Sequence, residues 1–308
     1  MDKIKKELAR LGIDFFENYD VVDISTIKIN QIIRLAVFPK TIKELVWVLK
    51  LFYREKLVFK VVGNASNLLF ISKIMFPVIF TCKMKDEFEV DGTSVTVSAG
   101  MQISRLVELL KRNKLGGVEK LVGIPATVGG AIFNNAGAFG CSISSNLTSI
   151  KVFYNGKVFD ILANKIKFGY HFSNLVGFVV LSASFWFENK NEYDIISLCN
   201  EYTYKRTVLQ PSGFSLGSVY QKINGKSAGF YIERAGLKEI RIGGIVVSKK
   251  HANFFVNDKR GSAEDFLNLQ KFVEFKVNRQ FGLSLISEIE KVGEENETSC
   301  RFTYPFRV

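Results

Sequence analysis

The chain has 308 residues, of which 47% are hydrophobic and 23% are charged, with a formal net charge of +12 and a pI near 9.4. These values are typical of a globular protein of one large or two smaller domains, and they exclude a disordered chain. The positive charge raises the alternative of a nucleic-acid-binding protein. However, the lysines and arginines are scattered in runs no longer than two, so we interpret them as a solvated surface that favours anionic small molecules.

Cysteine and histidine usage predicts neither a metal site nor a disulfide framework. The widely spaced residues are Cys82, Cys141, Cys199 and Cys300, with His171 and His251. The N-terminal segment MDKIKKELARLGIDFF is charged throughout and lacks the apolar core of a signal peptide. We therefore expect a cytoplasmic protein with no metal and no membrane partner.

The first eighty residues predict a short leading helix, a strand over 26–35, a second helix and a second strand. Thr41 and Glu44 form a capping box, and an apolar stripe with helical spacing follows it. The strand over 57–62 ends in Gly63-Asn64-Ala65-Ser66-Asn67. Small and amide residues at a strand end present N–H groups that suit a pyrophosphate, although a plain loop has the same composition.

The middle of the chain predicts two hairpins, one about Asp91-Gly92 and one about Asn155-Gly156. An amphipathic helix follows the first hairpin, and a strand over 178–187 follows the second. Tight hairpins mixed with isolated helices favour an α+β fold. No GxGxxG motif follows the first strand, so a Rossmann domain is not expected.

Residues 119–140 read EKLVGIPATVGGAIFNNAGAFG and contain five glycines. Because glycine costs about 0.5–1 kcal/mol relative to alanine inside a regular element, packing alone is a poor reason for this cluster. The favoured interpretation is a loop that closely approaches a phosphate or a flavin edge. A membrane span is disfavoured by Pro125, Asn134 and Asn135, and a packed turn region without a ligand stays open as an alternative.

The last third predicts a helix over 191–206 that leads to a second domain. Ser262 and Asp265 then cap another helix. Residues 285–292 alternate like a strand around Glu288, and the tail after Gly293 is first acidic and then aromatic.

GIPATVGGA followed by NAGAFG resembles the flavin-binding loop of the UDP-N-acetylenolpyruvoylglucosamine reductases, where the pattern is close to GIPGTVGGA and NAGAYG. Ala126 and Phe139 are the departures. Gly63 to Asn67 resembles the GxGSN segment of the same family, with Ala65 in place of a glycine. Arg206 with Gln210-Pro211 and Gly217-Ser218 resembles a third segment, residues 227–257 resemble the long substrate-domain signature, and Glu288 falls at the acidic catalytic position. These five ordered blocks cover about residues 26–293.

The resemblance implies an α+β protein with two domains. Residues 1–190 would form an FAD-binding domain of the vanillyl-alcohol-oxidase (PCMH) type with two α+β subdomains, about 1–82 and 83–190. Residues 191–308 would form an α+β substrate-binding domain. The interval between His171 and Ser218 leaves no room for a large module, so the chain resembles the subtype that lacks the substrate-capping insertion.

The implied activity is FAD-dependent, NADPH-oxidising reduction of UDP-N-acetylglucosamine enolpyruvate to UDP-N-acetylmuramate, a step of peptidoglycan precursor synthesis. The expected protein is a cytoplasmic monomer with a small-molecule substrate and no nucleic-acid partner. A flavin oxidoreductase of the same fold with another substrate is the alternative within the enzyme class. A basic nucleic-acid-binding protein is the alternative from another class.

The resemblance also implies three catalytic residues. Ser218 would donate a proton, and Glu288 would stabilise the intermediate as a protonated carboxyl or by orienting a donor. His171 stands where the family has an arginine. Our hypothesis is that it donates to the substrate carboxylate as imidazolium, so that kcat/KM falls through the upper-neutral pH range. The alternative is a packing histidine, with Arg34 or Arg105 supplying the charge.

Cofactor binding is predicted for the two small-residue segments and one arginine. For Arg241, as for His251, a structural role is an equal alternative. The predicted FAD-binding residues are Gly63, Asn64, Ala65, Ser66, Asn67, Gly123, Ile124, Pro125, Thr127, Val128, Gly129, Gly130, Ala131, Asn135, Ala136, Gly137, Ala138, Gly140 and Arg241.

Overall fold

The computed structural model describes residues 1–293. The acidic and aromatic tail noted in the sequence lies outside the described residues, as does Cys300. Within residues 1–293, no helix combines the length and apolarity needed to cross a bilayer.

The first region is a four-stranded sheet with two helices. Its elements are α1 (Asp2–Arg10), β1 (Asp14–Asp20), β2 (Ile32–Phe38), α2 (Ile42–Arg54), β3 (Lys60–Val62), β4 (Leu68–Phe70) and β5 (Ile74–Phe80). The strand order is β1-β2-β5-β3, in which β1 is antiparallel to β2 and the other neighbours are parallel. The predicted cap of α2 is confirmed, because Thr41 Oγ1 accepts a 3.1 Å hydrogen bond from the Glu44 N–H.

The predicted strand over 26–35 is wrong at its start, because β2 begins only at Ile32. The strand β1 was not predicted. Residues 26–31 instead bind the C-terminal part of the chain. Thr26 Oγ1 donates to the Ser215 carbonyl at 2.8 Å, and Asn257 Nδ2 donates to the Ile27 carbonyl at 2.9 Å. The sequence pattern of residues 26–31 predicts a strand, but hydrogen bonds to distant residues, rather than to a neighbouring strand, pair polar groups of this segment.

The second region is a five-stranded antiparallel sheet in the order β12-β11-β15-β7-β6. Its elements are β6 (Phe88–Asp91), β7 (Ser94–Ser98), α3 (Ile103–Arg112), β8 (Leu115–Gly116), α4 (Val128–Phe133), β9 (Gly137–Ala138), β10 (Cys141–Ser142), β11 (Leu147–Tyr154), β12 (Lys157–Leu162), β13 (Phe168–Gly169), β14 (Phe172–Ser173), β15 (Val179–Trp186), β16 (Glu188–Asn189) and α5 (Glu192–Leu209). Both predicted hairpins are confirmed, with Asp91 paired to Ser94 and Tyr154 to Lys157.

The third region packs a small antiparallel sheet, β17-β18-β19, against a long helix. Its elements are α6 (Ala228–Arg234), β17 (Arg241–Ile242), β18 (Ile245–Val247), β19 (Phe255–Asn257), α7 (Ala263–Phe281) and β20 (Glu290–Val292). The predicted Ser262–Asp265 capping box begins α7. The predicted strand over 285–292 is correct only for β20, because an irregular segment precedes it.

The regions are interleaved along the chain. β20 leaves the third region and pairs in parallel with β4 of the first. Ile27, Ile29 and Leu69 are buried in the core of the third region. α5 begins after residue 190 but packs on α3 and on residues 119–121 within the second region. The domain boundary at residue 190 thus stays a prediction, and contacts cross it from both sides.

Candidate active site

A cavity of about 750 Å³ lies where the three regions meet, a volume within the range of small-molecule and cofactor sites. Ser218, Glu288 and His171 all line it. So do most predicted cofactor-binding residues, namely Gly63, Asn64, Ala65, Ser66, Asn67, Gly123, Ile124, Pro125, Thr127, Gly129, Gly130, Ala136 and Gly137. The fold therefore brings together residues up to 225 positions apart in the sequence, from Gly63 to Glu288.

Six predicted cofactor-binding residues do not line this cavity. Val128 and Ala131 are buried in the core of the second region, and Asn135 donates through Nδ2 to the Gly169 carbonyl at 2.8 Å. Ala138 and Gly140 belong to the β9–β10 turn. Arg241 forms an ion pair with Asp258, with Nη2 at 2.7 Å from Oδ2. The structure therefore does not place these six residues on the cavity wall, and the ion pair favours the structural role for Arg241.

The loop after β3 lines the cavity and carries backbone N–H groups that make no backbone hydrogen bond in the described part of the chain. Within residues 1–293, no N–H from Asn64 to Asn67 donates to a backbone carbonyl. Ala65 has φ of +48°, in the left-handed region that favours glycine. Asn67 Nδ2 donates to the Glu288 carbonyl at 3.0 Å, which joins the loop to the third region. Free N–H groups on a concave wall form a cradle for an anion.

The glycines of residues 119–140 are needed for packing. The expectation that packing is a poor reason for this cluster is therefore wrong. A Cβ added to Gly129 would lie 2.9 Å from Ala99 Cβ, and one added to Gly137 would lie 2.6 Å from the Cys141 carbonyl oxygen. One added to Gly63 would overlap Thr127 Oγ1. Thr127 is also the N-cap of α4. The two small-residue segments therefore fit against each other and the body of the protein while they line the cavity.

Ser218 is held on an extended segment between two strands. It bridges to Phe254, and the next residue, Val219, donates to the Asn253 carbonyl at 2.8 Å. The Glu288 N–H donates to the Val219 carbonyl at 2.8 Å. Gly217, with φ of +79°, makes the turn that precedes the serine. The Ser218 hydroxyl and the Glu288 carboxyl are therefore fixed by adjacent backbone on the same cavity wall.

Glu288 is a buried carboxyl with an unused oxygen. Its side chain is 7% exposed, and Oε1 is buried without a hydrogen-bond partner in the described chain. Burial raises the pKa of Glu288 to about 7, although the Tyr170 hydroxyl and the Lys222 charge oppose this shift. Burial and the Glu288 charge in turn raise the pKa of Tyr170 to about 12. A substantial fraction of Glu288 is thus protonated at neutral pH and able to donate.

His171 occupies the turn between β13 and β14 with φ of +47°. Its Nε2 lies 3.9 Å from Glu288 Oε2. Burial, assisted by the Lys222 charge, lowers the pKa of His171 below its ordinary 6.5. Burial therefore disfavours the imidazolium in the ligand-free protein, and the role of His171 as an imidazolium donor stays a prediction.

Lys222 is the cation near this group that the sequence interpretation missed. Its Nζ lies 5.7 Å from the centroid of the Tyr170 ring, and its charge acts on both His171 and Glu288. Neither Arg34 nor Arg105 lines the cavity; Arg105 binds Asp86 and Glu108 instead. The only sequence signal for Lys222 is its position four residues after Ser218.

Arg206, noted in the sequence as part of a family-like segment but given no role there, is a second cation, and it lines the cavity near Gly123. Its Nε is buried without a partner in the described chain, while Nη1 reaches Gln210 Oε1 at 3.4 Å. The guanidinium lies 5.4 Å from the Phe139 ring centroid. No acidic side chain of residues 1–293 pairs with it. A half-buried cation in this state is suited to an anionic ligand.

Among the described residues, the cavity thus combines a loop whose N–H groups make no backbone hydrogen bond, one unpaired cation, Arg206, and a protonatable carboxyl, with Lys222 nearby but outside the lining. These features fit a ligand with a pyrophosphate, as FAD has. His251, by contrast, lies outside the cavity lining, and its Nδ1 accepts a 3.2 Å hydrogen bond from the Asn253 N–H. That bond supports the segment next to Ser218.

Comparison with known proteins gives consistent matches. Residues 33–161 match the family model described as FAD binding domain, and residues 210–292 match the C-terminal domain of UDP-N-acetylenolpyruvoylglucosamine reductase. The chain is 35% identical to the UDP-N-acetylenolpyruvoylglucosamine reductase of Caldicellulosiruptor saccharolyticus, covering 95% of this chain and 96% of that protein. With the Streptococcus pneumoniae (strain Hungary19A-6) protein of the same name it shares 34% identity, covering 92% and 95%.

Among solved structures, the crystal structure of UDP-N-acetylenolpyruvylglucosamine reductase from Thermus caldophilus is similar to this chain with a TM-score of 0.77. The identity is 28%, and the match covers 91% of this chain and 98% of that one. The similarity therefore extends over all three regions.

Proposed function

The chain belongs to the UDP-N-acetylenolpyruvoylglucosamine reductase family, and from this premise we propose how its own residues carry out the family's reaction. It is an FAD-dependent UDP-N-acetylmuramate dehydrogenase of peptidoglycan precursor synthesis. This membership displaces the alternatives of a different flavin oxidoreductase and of a nucleic-acid-binding protein. NADPH as the reductant is part of our proposal, as are the roles of the individual residues.

The observation that carries the proposal is the shared cavity. Gly63 to Asn67 and Gly123 to Gly137 line one part of it, and Ser218 with Glu288 line another. Bound FAD supplies the redox chemistry, as acceptor of hydride from NADPH and source of hydride for the enolpyruvyl group. We assign the pyrophosphate to the free N–H groups of the first loop, with the Arg206 guanidinium available for the same charge.

Hydride addition to the terminal carbon of an enolpyruvyl ether leaves negative charge next to the carboxylate. A bare anion at Glu288 would oppose that charge, whereas a protonated carboxyl donates to it. The raised pKa of Glu288 supports the protonated form. Ser218, held by the turn at Gly217, then delivers the proton that completes the product. His171 and Lys222 face the same group and are proposed to bind the substrate carboxylate.

The test is oxidation of NADPH by the purified protein, which should contain tightly bound noncovalent FAD. Turnover should require UDP-N-acetylglucosamine enolpyruvate, and UDP-N-acetylglucosamine, which lacks the enolpyruvyl group, should not replace it. Parallel assays with NADH measure the nicotinamide preference. Equal NADPH oxidation with and without the enolpyruvyl substrate would contradict the proposed function.

We also propose a cytoplasmic monomer of the subtype without the capping insertion, which serves cell-wall growth and through it cell shape and division. The thiols of Cys82, Cys141 and Cys199 are free, as a reducing compartment requires. Between His171 and Ser218 the described residues form β14, β15, β16 and α5 with no added domain. Light scattering of the FAD-loaded protein tests the monomer.

A further inference from the structure

Two carboxylates of the third region form ion contacts with the other two regions. Within residues 1–293, these are the only side-chain ion pairs between residues 210–293 and the preceding chain. Glu288 faces His171, and Glu290 accepts a hydrogen bond from Lys60 Nζ. Glu288, Glu290 and Lys60 all line the cavity. The Lys60 side chain, on β3, is 17% exposed.

Glu288 and Glu290 are two residues apart in the sequence, and both line the cavity. Such a separation spans at most about 7 Å between Cα atoms. A like charge at this range disfavours ionisation of a neighbouring carboxyl, and it does so more strongly where water is partly excluded. An unpaired Glu290 carboxylate would therefore raise the pKa of Glu288. A Glu290 carboxylate that is neutralised by Lys60 has only a weak effect on that pKa.

The ion pair is not needed to attach β20 to the first region. β20 pairs in parallel with β4, and the Glu290 N–H donates to the Asn67 carbonyl at 3.1 Å. Ser72 Oγ donates to the Gly293 carbonyl at 2.7 Å at the other end of the strand. Because backbone contacts already fix this strand, the half-buried ammonium of Lys60 is not needed to dock it.

We propose that Lys60 is a positioning residue of the active site, which holds the Glu290 carboxylate in an ion pair and thereby prevents it from acting electrostatically on Glu288. The inference rests on the proposed role of Glu288 in the reaction. The other groups that face Glu288 are Tyr170 and His171 at the β13–β14 turn and Lys222 after Ser218. Substitutions at 60 and 290 leave all three in place.

The experiment is a charge cycle on the FAD-loaded enzyme. Carboxyl-¹³C-labelled glutamate gives the pKa of Glu288 by NMR titration, with its resonance assigned by its loss in Glu288→Gln, and the pH profile of kcat/KM is measured in parallel. Lys60→Met should raise this pKa by about half to one unit, because it leaves Glu290 unpaired. Glu290→Gln should lower it by a similar amount, because it leaves Lys60 unpaired. The double variant should return to within a few tenths of the wild-type value.

Lys291→Met is the matched control, since it removes the same charge from the exposed face of β20 and should shift nothing. The inference is overturned if Lys60→Met and Glu290→Gln shift the pKa of Glu288 in the same direction or not at all. Should Lys60→Met fail to fold, Glu290→Gln alone still decides through the predicted downward shift. If the wild-type kcat/KM profile keeps its ionisation in Glu288→Gln, the proposed role of Glu288 fails, while the NMR titration still tests Lys60.

Discussion

The two parts of the cavity wall work by different means. The small-residue segments around Gly63 and Gly129, which we propose to hold the flavin, line the cavity with short side chains because protein atoms fill the space where a Cβ would stand. The third region instead contributes to the cavity the two side chains proposed to be catalytic, Ser218 and Glu288, from backbone of ordinary composition. Substitutions in the first part should therefore affect cofactor retention and folding, and substitutions in the second should affect turnover.

The largest effect is expected for Ser218→Ala. Loss of a positioned proton donor should lower kcat by about 10²–10⁴-fold, while the FAD content and thermal stability stay near wild type because the turn at Gly217 is retained. Steady-state NADPH oxidation with the enolpyruvyl substrate measures this. Ser212→Ala, at an exposed serine of the same region, is the matched control and should retain wild-type kcat. A kcat within tenfold of wild type for Ser218→Ala would contradict the proposed division between cofactor-binding and catalytic parts of the wall.

Glu288→Gln should lower activity and yet raise stability at alkaline pH. The carboxyl titrates near 4.5 when unperturbed and near 7 in the folded protein. A raised folded pKa means that stability is fully present at low pH and lost as pH rises through about 7, and the difference corresponds to about 3 kcal/mol. The glutamine has no charge to bury, so its stability relative to wild type should increase between pH 5 and pH 8. Urea unfolding at the two pH values measures this, and parallel pH dependences would count against a buried ionisable Glu288.

Gly63→Ala tests the first part of the wall. The added Cβ meets Thr127 Oγ1 at the start of α4, and overpacking of this kind costs about 1–3 kcal/mol. We expect weaker FAD retention and a lower Tm, measured by flavin fluorescence on dilution and by calorimetry. Gly169→Ala, where the nearest atom lies 3.5 Å away, is the control. Wild-type FAD affinity and Tm for Gly63→Ala would show that the two segments do not need their close fit.

The smallest effect is expected for His171→Arg. An arginine stays charged at all accessible pH, whereas burial lowers the pKa of His171, so its charge is lost at a lower pH than that of a free imidazole. The variant should therefore show a severalfold lower KM for the enolpyruvyl substrate at pH 8 and lack the acidic ionisation. The ionisation of Glu288 near 7 should remain in both proteins. Superimposable pH profiles would exclude a charge role for His171.

The sequence correctly predicted the helix caps and hairpin turns, because these features depend on residues that are close together in the chain. The Thr41 and Ser262 caps and the Asp91-Gly92 and Asn155-Gly156 turns all have mechanisms that operate within a few residues, and the structure confirms them. The strand β1 and the true path of residues 26–31 depend on partners far along the chain, so local pattern did not reveal them.

The residues of the candidate site also divide into those that the sequence indicates and those that only the fold reveals. The glycine segments were found because a cluster of small residues is visible in composition, although the structure gives packing as a further reason for them. Lys222 and Lys60 were missed, because a lone basic residue in a chain with 42 lysines and arginines carries no signal, and Arg206 was noted in a family-like segment without a role. Their roles follow from burial and from the groups they face, which only the fold determines.

The central claim is that one part of the cavity holds the flavin and the other acts on the substrate. Anaerobic stopped-flow absorbance of Ser218→Ala tests it most directly, because the two half-reactions are observed separately. The account predicts that NADPH reduces the bound flavin at the wild-type rate in this variant, and that reoxidation by the enolpyruvyl substrate slows by about 10²-fold or more. Equal slowing of both half-reactions, or of neither, would contradict it.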